Sequence, residues 1–508
     1  MLKKNLLLCF FILLKFILQY QLVSPIYELH RDEFLHLDQG KHLAWGYLSL
    51  PPFTAWLSYI IGLLGYSEFW VRFFPALFGS LTLVLVWKTV EALRGGIFAL
   101  ILCAVAVLFS VLLRLNILYQ PNSLDVLCWV FLYFCLIKYI SSKQSKWIWL
   151  AALGFAVGFL NKYNIVFAVI GLLPAILITE HRNIFLKKYL YGAMIAAFIL
   201  ITPNLWWQYQ HDFPVWLHMQ ELSATQLVNV SRINFLKEQL LFFIGAIFII
   251  TAAIAGFLVY EPFKKFIVFL YTLIFTLCLF ILLRAKSYYA IGIYPIFLSF
   301  GAVYLENLLQ SGWKRWLRPV AIAIPILLFI PFIQIAFPLK SPAAIKAHPE
   351  KYQQFGLLRW EDGKDHALPQ DFADMLGWRE LAAIVDSAYE TISDKENTLI
   401  RCDNYGQAGA INYYSKHKNI NALSYNADYI NWFPKNKKWL NIILVKEIKD
   451  DDTGRKDEKS LFDIIYLAGK IQNEYAREYG SAVYLLLGAK KGVNEIIEME
   501  IKKKQTRN

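Results

Sequence analysis

The sequence has little charge and little cysteine. Asp, Glu, Lys and Arg make up 18% of its 508 residues, against 57% hydrophobic and 16% aromatic. A soluble globular protein carries about 25% charge. The deficit falls in residues 1 to about 337, which excludes a soluble fold for that part of the chain. Five of the six cysteines (Cys9, Cys103, Cys128, Cys135, Cys278) lie in apolar runs and Cys402 stands alone in the polar remainder. That pattern excludes a disulfide framework and a cysteine metal site. Neither a P-loop nor G-x-G-x-x-G is present, which argues against nucleotide-sugar or ATP chemistry. Zinc-protease motifs are absent as well: "DEFLH" lacks the first histidine of H-E-x-x-H, and "HRDEF" is not H-x-x-E-H. No small-residue cleavage site follows the first apolar run, Leu6 to Tyr20, so it reads as an uncleaved first helix. The net charge of +13 comes from Lys and Arg scattered among loop ends and the tail. Membrane topology and attraction to anionic headgroups account for it, and nucleic acid is not expected as a partner.

What is present is a series of apolar segments of bilayer length. They are expected at 5–24, 69–92, 96–114, 123–140, 147–161, 163–179, 189–206, 237–259, 265–283, 288–307 and 316–337, with "NKYN" (161–164) breaking the pair at 147–179. With the N-terminus in the cytoplasm every inner turn is basic: Lys3 and Lys4; Arg94; Lys143 and Lys146; Arg182, Lys187 and Lys188; Lys264 and Lys265; Lys314, Arg315 and Arg318. The positive-inside rule then gives about eleven helices, with residues 338–508 outside. In that outer part, runs at 397–403, 440–446 and 482–488 alternate with helical stretches such as 377–394, which suggests a small soluble α/β domain.

The same parity places four polar features on the outer face. The first is an outer loop at about 25–68, where eight ionisable residues crowd into the thirteen positions His30 to His42. Asp32 and Glu33 are adjacent there, and Glu33 and His36 share a helical face at i, i+3. Either this is a solvated interfacial helix, or the turn "GYLSLPP" (46–52), which contains Tyr47, holds the two acids at the bilayer edge. Asp125 in "PNSLD" is either a first-turn acid suited to the helix dipole or a second carboxylate at the same depth. Lys162, Arg284 and Lys286 are outer cations against the charge rule. They are either snorkelling side chains or ligands for a phosphate. Tyr288 and Tyr289 belong to the aromatic belt or flank a lipid. Cations for a phosphate and carboxylates for taking a proton from a hydroxyl meet on one face, and a lipid-linked phosphate with an outward-facing reaction satisfies both.

Seven strings in order carry a family resemblance: "HRDE" (30–33), "WGYLSLPP" (45–52), "RFFPALFGS" (72–80), "LNILYQPNSLDVLCW" (115–129), "GFAVGFLNKYN" (154–164), "TPNLWWQYQHDFP" (202–214) and "RAKSYY" (284–289). The chain resembles the GT-C superfamily of membrane glycosyltransferases, in the branch of protein O-mannosyltransferases and of aminoarabinose or galacturonic acid transferases of lipid A. The tail, with "LPQDFADMLGWREL" (368–381) and "NYGQAGAINYY" (404–414), looks like that of a bacterial subgroup.

The resemblance implies a polytopic α-helical membrane domain over 1–337 and a periplasmic α/β domain over 338–508. It implies a polyprenyl-phosphate-linked sugar donor and transfer outside the inner membrane to lipid A, another glycan or protein. The catalytic base falls on Asp32 and the second acid on Asp125, with Lys162, Arg284 and Lys286 near the lipid phosphate. His36, Tyr47, Tyr288 and Tyr289 are expected to line the substrate. The sequence departs from the family at His30-Arg31, where many relatives carry a small or acidic residue. Glu33 is grouped with the catalytic acids, and a divalent cation at Glu33 is left open, with no other cofactor expected. The rival reading is a transporter or flippase for a lipid-linked sugar, which needs the cations and no base. Secondary transporters show internal repeats and paired broken helices; no repeat and a single broken pair are visible here.

Overall fold

A computed structural model describes residues 2–452 and 454–505. Among the described residues five helices are long and apolar enough to cross a bilayer: Glu68–Ala92, Asn122–Ser142, Lys188–Gln210, Ser287–Leu308 and Gly312–Ala336. Shorter apolar helices fill in between them, among them Ile97–Leu108, Lys146–Asn161 and Val268–Leu282. The first helix, Leu2–Gln21, runs antiparallel to Glu68–Ala92, with Phe11 on Trp87, Phe16 on Phe73 and Tyr20 on Phe69 at ring distances of 6.3, 5.8 and 5.3 Å. Close packing at the centre needs a small residue. A Cβ on Gly301 would lie 1.8 Å from the Ile249 carbonyl oxygen, so the helices Tyr294–Leu308 and Ile247–Val259 touch backbone to side-chain-free backbone.

The expected break at "NKYN" is there, between Lys146–Asn161 and Ile165–Leu177. Two other expected helices are each divided. The stretch 96–114 separates into Ile97–Leu108 and Val111–Leu115, because the Ser110 hydroxyl accepts the Leu112 amide and caps a new start. The stretch 237–259 bends by 65° between Arg232–Phe242 and the segment that follows it. The apolar stretch after "GYLSLPP" forms a further helix, Phe53–Leu63.

Beyond residue 338 lies a five-stranded sheet of β1 (Thr398–Cys402), β2 (Ala422–Ser424), β3 (Asn441–Lys446), β4 (Phe462–Lys470) and β5 (Ala482–Ala489). The order is β2-β1-β3-β5-β4. β1 is parallel to β2 and β3, with Ile400 opposite both Ala422 and Ile443, and β5 is antiparallel to β3 and β4. The three strands expected from the sequence are the buried apolar ones, β1, β3 and β5. β2 is only three residues long, and β4 is a mostly exposed edge, so neither carries a strong apolar signal.

The charged loop does not form a solvated helix. Its helix, Arg31–Gln39, is covered by the C-terminal part, and seven of its nine residues are buried. Phe34 packs on Trp378, Tyr413 and Tyr414 in a core that continues into the sheet. The helix Tyr405–Tyr414 comes close because it carries glycine at the contact: a Cβ on Gly409 would lie 2.5 Å from the Phe34 Cβ. Ion pairs Arg114–Asp371 (2.7 Å) and Arg379–Glu68 (2.6 Å) stand at the margins of this junction.

Candidate active site

Glu33 and Asp32, adjacent in sequence, have different surroundings. Glu33 is fully buried and closes a capping box with His30; one of its oxygens accepts the His30 amide and the other the Tyr119 amide, each at 2.6 Å. Both oxygens are thus held by backbone, and Glu33 offers no open ligand to a cation. Among the described residues no group of three or more His, Cys, Asp or Glu side chains gathers as a metal site. The donor set at Glu33 therefore does not fit the divalent cation left open by the sequence.

Asp32 points the other way, with its side chain 34% exposed. Oδ1 accepts the Tyr405 hydroxyl at 2.7 Å and Oδ2 accepts the Gln120 amide at 3.0 Å. Burial alone would raise its pKa. The neighbouring His30 ring, the Arg31 guanidinium and the Tyr405 hydrogen bond overcome that and hold it down to about 2. Asp32 is therefore an ionised carboxylate throughout the physiological range. Tyr405 responds in reverse: burial and then the Asp32 charge push its hydroxyl up, so it stays a donor.

From Asp32 a line of side chains leads to the cations. Gln120 accepts from Asn122 at 3.0 Å, and Asn122 in turn accepts from Lys162 Nζ at 2.7 Å. The Lys162 ammonium lies 4.5 Å from the Tyr289 ring centre and 5.1 Å from that of Tyr288. The "QPN" start of the helix Asn122–Ser142 and the break after Asn161 are what meet here. The Asn161 amide also donates to the Pro121 carbonyl at 2.8 Å, fixing one against the other. The structure thus joins Asp32, Lys162, Tyr288 and Tyr289 in one polar line.

The remaining expected residues lie beside or away from that line. Asp125 is buried and holds Trp129 Nε1 at 3.2 Å and Asn164 Nδ2 at 2.8 Å. Since Asn164 Nδ2 also reaches the Tyr289 carbonyl at 3.1 Å, Asp125 orients the tyrosine turn. Lys286 pairs with Glu361 and Gln226, both at 2.7 Å. Arg284 is exposed, with a left-handed φ of 50° and, among the described residues, no ion pair. His36 is buried against Gln39 at 3.3 Å, and burial pulls its pKa down. Tyr47 is 3% exposed. Its hydroxyl donates to the Gln39 and His42 carbonyls at 3.1 and 3.0 Å, so it shapes the loop rather than facing a cavity.

Sequence reasoning did not find Tyr405, Gln120 or Asn122. The string "NYGQAGAINYY" marks Tyr405 only as part of a tail motif, and nothing local ties it to a residue 373 positions earlier.

Residues 49–207 match the protein family described as dolichyl-phosphate-mannose-protein mannosyltransferase. The lipid A galacturonosyltransferase RgtD of Rhizobium johnstonii is 28% identical over 204 residues. That alignment covers 38% of this chain and 41% of the relative, so it spans less than half of RgtD. Two crystal structures of ArnT from Cupriavidus metallidurans share the fold at 12% identity, each covering 94% of this chain and 97% of ArnT. The one bound to undecaprenyl phosphate has a TM-score of 0.63 and the apo one 0.61. The family match over residues 49–207, the transferase relative and an ArnT-like fold over almost the whole length agree, and this chain is similar to membrane glycosyltransferases of the GT-C superfamily.

Proposed function

We propose that the chain transfers a sugar from a polyprenyl-phosphate donor to an acceptor of the cell envelope, on the outer face of the inner membrane. In this reading about eleven helices span the bilayer, the N-terminus is cytoplasmic and residues 338–508 lie in the periplasm. The lipid A galacturonosyltransferase activity of RgtD and the undecaprenyl phosphate bound to ArnT support the substrate classes. The observation that carries the reading is the line from Asp32 through Gln120 and Asn122 to Lys162. It sets an ionised carboxylate and an ammonium at fixed spacing beside two tyrosines.

The acceptor hydroxyl oxygen attacks the anomeric carbon while Asp32 takes its proton. The bond from that carbon to the phosphate oxygen breaks, and its electron pair leaves with the polyprenyl phosphate. One displacement inverts the anomeric centre. Asp32, held down to about 2, is a weak base, so proton transfer occurs late, once the attacking oxygen has become acidic through bond formation. The leaving phosphate gains charge in the same step. Lys162 meets it by exchanging the neutral Asn122 amide for the phosphate, which sacrifices no ion pair. Arg284 is exposed and unpaired and can follow, whereas Lys286 must first leave Glu361.

The test is reconstitution in lipid vesicles with a polyprenyl-phosphate sugar and an envelope glycolipid extract, read by mass spectrometry. A glycolipid heavier by one sugar with wild type, and absent with Asp32→Asn, is expected. Movement of the lipid-linked sugar across the bilayer with no new glycosidic bond would establish the flippase instead.

A further inference from the structure

A cavity of about 660 Å³ opens at the carboxyl ends of the three parallel strands. Asp403, Asn404 and Tyr405 follow β1, Asn426 follows β2 and Glu447 follows β3. β1 lies between β2 and β3. Connections from β1 and β2 therefore leave toward opposite sides, and a crevice forms where the strand order reverses, as at ligand sites of open α/β sheets. The size falls within the range of about 300–1,000 Å³ usual for small-molecule sites.

The cavity also touches the membrane part at both ends of the site. Arg31 and Tyr405 form one wall, and the Tyr405 hydroxyl reaches Asp32 at 2.7 Å. Gln226 and Glu361 form another, and both hold Lys286 at 2.7 Å. A molecule in the crevice thus has one end within a tyrosine's length of the base.

The lining describes the molecule. Of the eighteen residues around the cavity only Ile448 is aliphatic, so an acyl chain or apolar peptide side chain finds no partner. Six are acids and three, Arg31, Lys449 and Arg477, are cations. That balance repels a phosphate or carboxylate and suits hydroxyl donors, which carboxylates and amides accept or meet well. Tyr479 supplies a flat apolar surface: it is 49% exposed, and among the described residues its ring stacks on no other aromatic. Asn404 and Glu478 stand behind it, both nine-tenths buried and bonded to each other at 3.0 Å, as rigid polar backing.

We propose that this crevice binds the saccharide part of the acceptor, and that this part is an uncharged, hydroxyl-rich sugar rather than a phosphorylated one. The proposal rests on the transfer reaction proposed above and gives the C-terminal part the task of choosing the acceptor. Tyr479 stacks on a ring face, the acids and amides take the hydroxyls, and the reacting hydroxyl faces Tyr405 and Asp32.

Saturation-transfer NMR on the full chain in lipid nanodiscs tests it, with maltose, lactose and N,N′-diacetylchitobiose as probes and no donor present. At least one is expected to receive saturation, with inorganic phosphate failing to displace it. Tyr479→Ala is expected to weaken binding about tenfold, Tyr479→Phe to keep it, and the thermal unfolding midpoint of both to match wild type. Saturation of none of the three sugars, equal binding by Tyr479→Ala, or displacement by phosphate would each overturn the proposal. Because binding is read without donor, its failure leaves the transfer reaction standing. Conversely, failure of transfer in the vesicle assay leaves measured binding intact as an observation.

Discussion

The loop His30–His42 and the turn Arg284–Tyr289 are both knots of charge at the ends of helices, yet they use charge in opposite ways. In the loop the acids are locked. Glu33 holds two backbone amides, and Asp38 is buried with Lys41, Asn412 and Tyr429 around it at 2.7–2.8 Å. Asp32 alone keeps a third of its side chain in the open. In the turn Arg284 is unpaired and Lys286 has one exposed ion pair, of a kind worth about 0–1 kcal/mol. Locked charges fix geometry, and loosely held ones are available to an anion that arrives and leaves. By that criterion Asp32 is the acid of the loop left open to a substrate in the transfer reaction proposed above, while Glu33 and Asp38 hold the scaffold.

The largest expected effect separates the two adjacent acids. Asp32→Asn is expected to lower turnover about 10²–10⁴-fold with an unchanged melting temperature, the usual cost of losing a general base. Turnover near wild type would erase the distinction. Lys162→Met comes next. Loss of a charge-assisted phosphate contact of about 1.5–3 kcal/mol predicts donor use weakened about 10- to 150-fold. Lys286→Ala is expected to do less, because its ion pair must open first. Titrating donor for both variants ranks them, and the reverse order would make the turn rather than the line the phosphate site.

Glu33→Gln is expected to act on stability, at about 1–3 kcal/mol for the one buried backbone amide left facing an NH2 donor, read as a lowered thermal midpoint with donor affinity unchanged in the folded fraction. Gly409→Ala, whose new methyl would meet Phe34, is expected to lower the midpoint and loosen Tyr405 from Asp32. The smallest effect is one of pH. A carboxylate held down in the folded state is active, and contributes its stabilisation, above its unfolded value near 4, and loses both only as pH falls through about 2. The transfer rate at saturating substrate is therefore expected to show no acid limb from Asp32 between pH 5 and 8. A limb near 6 that Asp32→Asn removes would mean that Tyr405 and Arg31 do not hold this carboxyl.

The membrane helices were legible because their apolar runs are long and their punctuation strong: Asn161–Asn164 divides two helices where the sequence says it should. The bend after Phe242 was hidden because the residues around it, "LLFFIGAIF" (240–248), run apolar through the break. Asp32 and Lys162 stood out as charges where charge is expensive, which is a local property. Their connection was not legible. Gln120 and Asn122 look like ordinary turn residues, and Tyr405 acquires its meaning only when the sheet is set over the loop. What covers the charged loop was not legible for the same reason: its cover lies some 370 residues further on.

That distance has a consequence in time. Phe34 and Asp32 leave the ribosome long before Gly409 and Tyr405, separated from the tyrosine by 373 residues. At about 5–20 residues per second the delay is roughly 20–75 s. During that interval the membrane helices insert, while the loop helix has its apolar face uncovered and its carboxylate without the tyrosine. The first-made part of the site thus waits for the last-made domain. In the reading proposed above, a chain interrupted shortly before residue 405 has Asp32 without its tyrosine and no crevice to hold an acceptor.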